Sequence, residues 1–135
     1  MLRYGVFDDF KGWTTLLIWG DRSLIQLAEL FRDMAERRCF SILLNDVPWT
    51  RGEIGCSVRL SVTEQTGSAL EIERSGQAIS VNCDLRSDDL LGFAEKVAVL
   101  AASDGAGHNY LDVMGDRPIQ IMVSKGEYPA GWPAA

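Results

Sequence analysis

The chain has 135 residues, a length at which one domain closes one sizeable core. Hydrophobic residues make up 47% and charged residues 24%, which excludes the disordered and fibrous classes. A formal net charge of -6, with acidic residues spread along the chain, excludes the concentrated basic surface that nucleic acid or an anionic membrane requires. The same balance suits a basic protein partner.

Cys39, Cys56 and Cys83 are odd in number and form no C-x-x-C pair, so three free thiols in a reducing compartment are expected. The first residues contain no apolar signal core, and no run approaches the roughly 18 apolar residues of a membrane span. A cytoplasmic location follows as an expectation. Ten of the thirteen basic residues are Arg, a bias associated with GC-rich bacterial genomes.

Two short runs, Leu2 to Phe7 and Trp13 to Trp19, surround a polar turn cluster at Asp8 to Gly12 and predict a hairpin. In the second run Trp13, Leu17 and Trp19 share one face while Leu16 and Ile18 share the other. A strand apolar on both faces belongs in the interior of a sheet. Ser23 and Gln26 form the S-x-x-Q capping pattern before a helix to about Arg38. Its apolar stripe is Leu24, Leu27, Ala28, Phe31, Met34 and Ala35. Cys39 to Leu44 reads as a further strand.

Asn45 to Gly55 has no clear period and carries Pro48, Gly52 and Gly55. Loops carry function more often than strands, so Asp46, Trp49, Arg51 and Glu53 are candidate contacts; Trp49 equally suits the cover of a sheet end.

Ser57 to Asp84 predicts an antiparallel meander of three strands. Val58, Leu60 and Val62 alternate with Arg59 and Ser61; Leu70 and Ile72 alternate with Glu71 and Glu73; Ile79, Val81 and Cys83 alternate with Ser80 and Asn82. A two-residue turn at Ser75-Gly76 pairs Arg74 with Gln77, Ile72 with Ile79 and Leu70 with Val81. A five-residue loop at Glu64 to Ser68 then sets Leu60 against Ile72 and Arg59 against Glu73.

Ser87 is positioned to cap a second helix with Asp88 and Asp89 in its first turn, ending near Gly105 or Gly107 in a left-handed residue. Two strands, His108 to Val113 and Ile119 to Ser124, complete the chain; pairing Val113 with Ile119 sets Leu111 against Ile121 and His108 against Ser124. The last strand has no charge before Lys125, so it needs a neighbour on both sides: the first hairpin, which is favoured, or a second molecule. Monomer and homodimer both satisfy this.

The order ββαββββαββ predicts a single α+β domain over residues 1–135, a mainly antiparallel sheet with two helices packed on one face. The face carrying Arg59, Glu71, Glu73 and Ser80 is left wet. No internal repeat or linker stands out, and the tail from Pro129 is expected to be mobile.

His108, Tyr110 and Asp112 alternate along one strand and project to one face, offering a base, a phenol and a carboxylate. His108 and Asp112 lie about 13 Å apart by strand rise, too far for a dyad. His108 therefore needs help from another strand to serve a hydrolase or isomerase as general base, with Tyr110 or Cys56 as second group; Cys56 is the one thiol outside an apolar run or inward face. Metal-ligand spacings are missing, and Gly105-Ala-Gly107 lacks the third glycine and the helix of a dinucleotide site, so no cofactor is expected.

The stretch His108-Asn-Tyr-Leu-Asp112, followed by Ile119-Gln-Ile-Met-Val-Ser-Lys-Gly-Glu-Tyr-Pro129, resembles the ending of small uncharacterised bacterial proteins, some similar to immunity proteins of polymorphic toxin systems. It covers about a fifth of the chain. The resemblance implies a non-enzymatic interaction or inhibitor domain that blocks a basic toxin.

Overall fold

A computed structural model describes residues 1–10, 12–64, 67–111, 119–128 and 132–133. The expected α+β fold is present, but its strands divide into two mixed sheets: among the described residues there are nine strands and two α-helices. The strands are β1 Leu2–Phe10, β2 Trp13–Gly20, β3 Ser41–Leu43, β4 Thr50–Gly52, β5 Cys56–Thr63, β6 Ala69–Ser75, β7 Ala78–Arg86, β8 Gly107–Leu111 and β9 Ile119–Lys125. Helix α1 spans Ser23–Ala35 and α2 spans Ser87–Ala102. The first sheet has the order β4-β1-β2-β9-β8 and the second β3-β5-β7-β6.

The expected first hairpin forms, with Leu16 and Ile18 on the inner face and Leu17 and Trp19 on the outer. Strand β2 is interior, as its two apolar faces require. Its second neighbour is β9, in parallel, so the last strand, uncharged before Lys125, takes the first hairpin as its inner neighbour. The β8–β9 register sets His108 opposite Ser124 and Leu111 opposite Ile121, as expected; the Val113–Ile119 pair lies outside the described residues.

The meander is corrected. Strand β5 lies parallel to β7, with Val58 beside Val81 and Leu60 beside Cys83, and β6 occupies the far edge. Arg59 therefore stands opposite Asn82, not Glu73. The β6–β7 turn also moves: Ser75 pairs with Ala78, so Gly76 and Gln77 form the loop. Gly76 has φ 62°, the conformation a tight two-residue hairpin asks of its first loop residue. The shift is by two residues, so Ile72 still meets an apolar partner, Val81.

Helix α1 is not capped by Ser23. The chain already turns at Asp21, whose carbonyl accepts from Leu24 N, so Ser23 enters the first helical turn and is buried. Likewise Ser87 donates to Glu64 while Arg86 takes the cap position of α2. Its C-terminus ends on Ser103 in an extended conformation, not on a left-handed glycine. Lys125 Nζ serves there instead, donating to the carbonyls of Ala101 and Ser103, a favourable charge for that helix end.

One core gathers the inner faces of both sheets and the facing stripes of both helices, so the helices serve two sheets rather than one. The topology contains an internal repeat. A hairpin, a helix and two further strands occur twice, as β1-β2-α1-β3-β5 and β6-β7-α2-β8-β9, with β4 as an insertion. The closing strands are exchanged: β9 of the second unit joins β2 of the first, and β5 of the first joins β7 of the second. Buried Leu24, Leu27, Ala28, Phe31 and Met34 of α1 correspond, 66 positions on, to buried Leu90, Phe93, Ala94, Val97 and Leu100 of α2.

Candidate functional site

Three surfaces hold the residues of interest. The first is the segment from Asn45 to Gly55, which the structure uses as a suture between the sheets. Asn45 Nδ2 donates to Cys56 O at 3.0 Å and its Oδ1 accepts from Val58 N at 3.1 Å, taking the place of a strand beside β5. Thr50 Oγ1 donates to the carbonyls of Leu44 and Val47, and β4 pairs in parallel with β1. Gly52 is required at this contact, because a Cβ there would lie 2.5 Å from Cε2 of Tyr4. Trp49 is half-buried against the core and Glu53 is held by Arg3 at 3.1 Å, whereas Asp46 and Arg51 are exposed.

The second surface is the outer face of the first sheet. Leu17, Trp19 and Met122 are buried there beneath Phe7, Phe10, Tyr110, Tyr128 and Trp132. Tyr128 and Trp132 stack at 4.2 Å, and Trp132 meets Trp19 edge-on at 5.2 Å. Arg3 fastens this cover, donating from Nη1 to Trp132 O at 2.8 Å while its guanidinium carbon lies 5.2 Å from the Trp19 ring centre. Burial, with Glu127 and Tyr110 beside it, pushes the Tyr128 hydroxyl above its ordinary value.

His108 and Tyr110 sit at the margin of this cover on edge strand β8, their rings edge to face at 5.5 Å. His108 Nδ1 lies 3.0 Å from both carboxylate oxygens of Glu127, and Ser124 Oγ donates to Glu127 Oε1 at 2.6 Å. Glu127 was not apparent as a site residue in the sequence, although the pairing of His108 with Ser124 placed it near. The order is serine, carboxylate, imidazole. A hydrolytic relay needs the imidazole between the other two, and Ser124 is fully buried besides. Asp112 lies outside the described residues.

Cys56 does not join His108. It belongs to the second sheet and the main core, is 5% exposed, and burial pushes its thiol up to about 11. Such a thiol is a poor nucleophile. A shallow cleft of about 190 Å³ between α1 and α2, lined by Ile25, Glu29, Arg32, Ala98 and Ala102 among others, does not reach His108. Among the described residues no three His, Cys, Asp or Glu side chains gather as metal ligands, and no helix is long and apolar enough to cross a membrane.

The third surface is the outer face of the second sheet, left open as its alternation predicts. Three rows of side chains cross it: Leu43, Arg59, Asn82 and Glu71; Ser57, Ser80 and Glu73; Ser41, Ser61, Asp84 and Ala69. Arg59 donates to Ser41 Oγ at 3.2 Å and is two strands away from Glu71. Glu71, Glu73 and Asp84 are exposed and, among the described residues, make no ion pair. By strand geometry Glu71 lies about 7 Å from Glu73 and about 7–8 Å from Asp84. The sequence signal for this site was the period-2 alternation itself; what it lacked was the two-residue shift of the β6–β7 register that brings Asp84 beside Glu71. No protein-family model, no curated protein and no solved structure matches the chain.

Proposed function

We propose that this domain is a non-enzymatic protein-interaction module of the inhibitor type, which receives a basic protein partner on the open face of its second sheet. The observation that carries the reading is the group of three unpaired carboxylates, Glu71, Glu73 and Asp84, across adjacent strands of an uncovered sheet. Among the described residues Asp8, Asp33, Glu36, Glu53, Glu64 and Asp88 are each matched by an Arg, and what sets Glu71, Glu73 and Asp84 apart from the other unmatched carboxylates is their adjacency on neighbouring strands. Leaving three like charges as neighbours costs the isolated domain some repulsion, which a cationic partner removes.

The net charge of -6 supports the same reading, since it steers a basic partner from a distance. The resemblance of the C-terminal stretch to immunity proteins makes a basic bacterial toxin the specific version of that partner. The competing reading, a hydrolase or isomerase built on His108, draws on the His108–Glu127 contact and the neighbouring Tyr110. Among the described residues the hydroxyl that shares Glu127 with the imidazole, Ser124, is fully buried.

Affinity capture with the immobilised domain tests the proposal. A basic protein should be retained at low salt, released as ionic strength rises, and lost to a Glu71→Lys/Glu73→Lys/Asp84→Lys variant. Retention of the same protein by the variant, at every salt concentration, would refute it.

A further inference from the structure

Edges of β-sheets present unpaired backbone donors and acceptors, and proteins protect them by shortness, cover or charge. Of the four sheet edges among the described residues, β3 and β4 are three residues long. The β8 edge is covered by α2, from which Lys96 Nζ donates to Tyr110 O at 3.2 Å and whose Lys96 carbonyl accepts from Asn109 Nδ2. The remaining edge, β6, is different. It runs seven residues, Ala69–Ser75, in unbroken register with β7 from Ala69 opposite Asp84 to Ser75 opposite Ala78, without a bulge or proline.

We infer that β6 is a strand-addition site, where an extended basic segment of the partner protein pairs with the edge and continues the second sheet. This rests on the proposed function and names its mode of recognition. Glu71 and Glu73 project from one side of β6, and Leu70 and Ile72, half-buried against the core, from the other. An added strand with Lys or Arg at alternate positions lays its cations opposite the two carboxylates. Its intervening apolar residues extend the core side beyond Leu70 and Ile72.

The same residues refuse a second copy of this chain. An antiparallel β6–β6 pair that keeps the apolar sides together and overlaps over five residues or more must set Glu71 opposite Glu73, Glu71 opposite Glu71, or Glu73 opposite Glu73. Every such register places like charges directly opposite one another, which destabilises the pair. The glutamates thus block self-pairing and select for a cationic strand.

The experiment uses the full chain and a synthetic peptide that alternates Lys and Val, with a second peptide of identical sequence in which every backbone nitrogen is methylated. Methylation keeps the charge and removes the ladder donors. The alternating peptide should bind and slow amide exchange across Ala69–Ser75, and the methylated one should bind at least about tenfold more weakly, as loss of two or more backbone hydrogen bonds implies. Glu71→Lys/Glu73→Lys should bind neither. Equal binding of both peptides, or exchange slowed elsewhere than on β6, overturns strand addition while leaving an acidic docking face intact. Failure of the alternating peptide to bind, with a captured basic protein still lost to the triple charge-reversal variant, likewise overturns the edge alone. Absence of binding by either probe removes the proposed function as well.

Discussion

Phe31 of α1 and Phe93 of α2 meet edge to face, their ring centroids 6.1 Å apart at an interplanar angle of 65°. Each ring belongs to the stripe that recurs in the two halves of the chain, and both are buried at 5% exposure or less. Phe93→Ala should lower stability by about 3–5 kcal/mol in urea denaturation, the usual cost of an emptied aromatic site. A double-mutant cycle with Phe31→Leu should return a coupling of about 0.5–1.5 kcal/mol. Additive single effects would show that the rings pack independently.

Stability should fall on the alkaline side. Burial pushes the Tyr4 hydroxyl up to about 12, with Cys56 adding to the rise and Thr50 opposing it, and pushes the Cys56 thiol up to about 11. In both groups the folded value exceeds the unfolded one, so their contribution is complete below about pH 9 and is lost as pH climbs through the folded values. The urea midpoint should be flat from pH 7 to 8.5 and decline above 9. Tyr4→Phe should make that decline shallower, and an unchanged slope would contradict the assignment.

Thiol accessibility offers a chemical check on the core. Cys39 is half-exposed, while Cys56 and Cys83 are buried and hold their thiols above the ordinary range. Maleimide at neutral pH should add once to the native protein, at Cys39, and to the remaining two residues only on unfolding. Rapid labelling of Cys56 in the native state would revive it as a nucleophile.

Arg3 fastens the aromatic cover through Trp132 O, Glu53 and the Trp19 ring. Arg3→Ala should shift tryptophan emission to the red and increase quenching by iodide, at a stability cost of about 1 kcal/mol. Unchanged emission would mean that stacking with Tyr128 suffices to hold Trp132.

The legible parts of the fold were those in which a face or a short loop decides the outcome. The β1–β2 hairpin, the interior place of β2 and the pairing of His108 with Ser124 follow from period-2 patterns joined by tight connections. The parallel pairing of β5 with β7 does not, because Val58, Leu60 and Val62 alternate identically whichever neighbour they take. Only two inward apolar residues, Leu70 and Ile72, mark β6, and that thinness is the signature of an edge. Ser23 looked like a cap because its side chain is right for one; the turn beginning at Asp21 had already claimed the position. Of the candidate sites, the wet face of Arg59, Glu71, Glu73 and Ser80 was readable, whereas Glu127 beside His108 required the tail to fold back on β9. The repeat was hidden because its two copies share an order of elements and a set of buried helix positions, not residues: Leu27 corresponds to Phe93 and Phe31 to Val97.

If the carboxylates on the open sheet serve binding and not folding, neutralising them should leave the fold untouched. Glu71→Gln, Glu73→Gln and Asp84→Asn should each change stability by no more than about 0.5 kcal/mol, as exposed positions without partners do. A large loss of stability would assign them a structural role.

Amide hydrogen exchange of the domain with its captured basic partner tests the central claim most directly, because it reports which face is covered. Protection should appear across Ser57–Ser61, Ala69–Ser75 and Ser80–Asp84 of the second sheet, with exchange around His108, Tyr110 and Tyr128 unchanged. Protection confined to the His108 and Tyr110 margin of the first sheet, with the carboxylate face still exchanging freely, would contradict it.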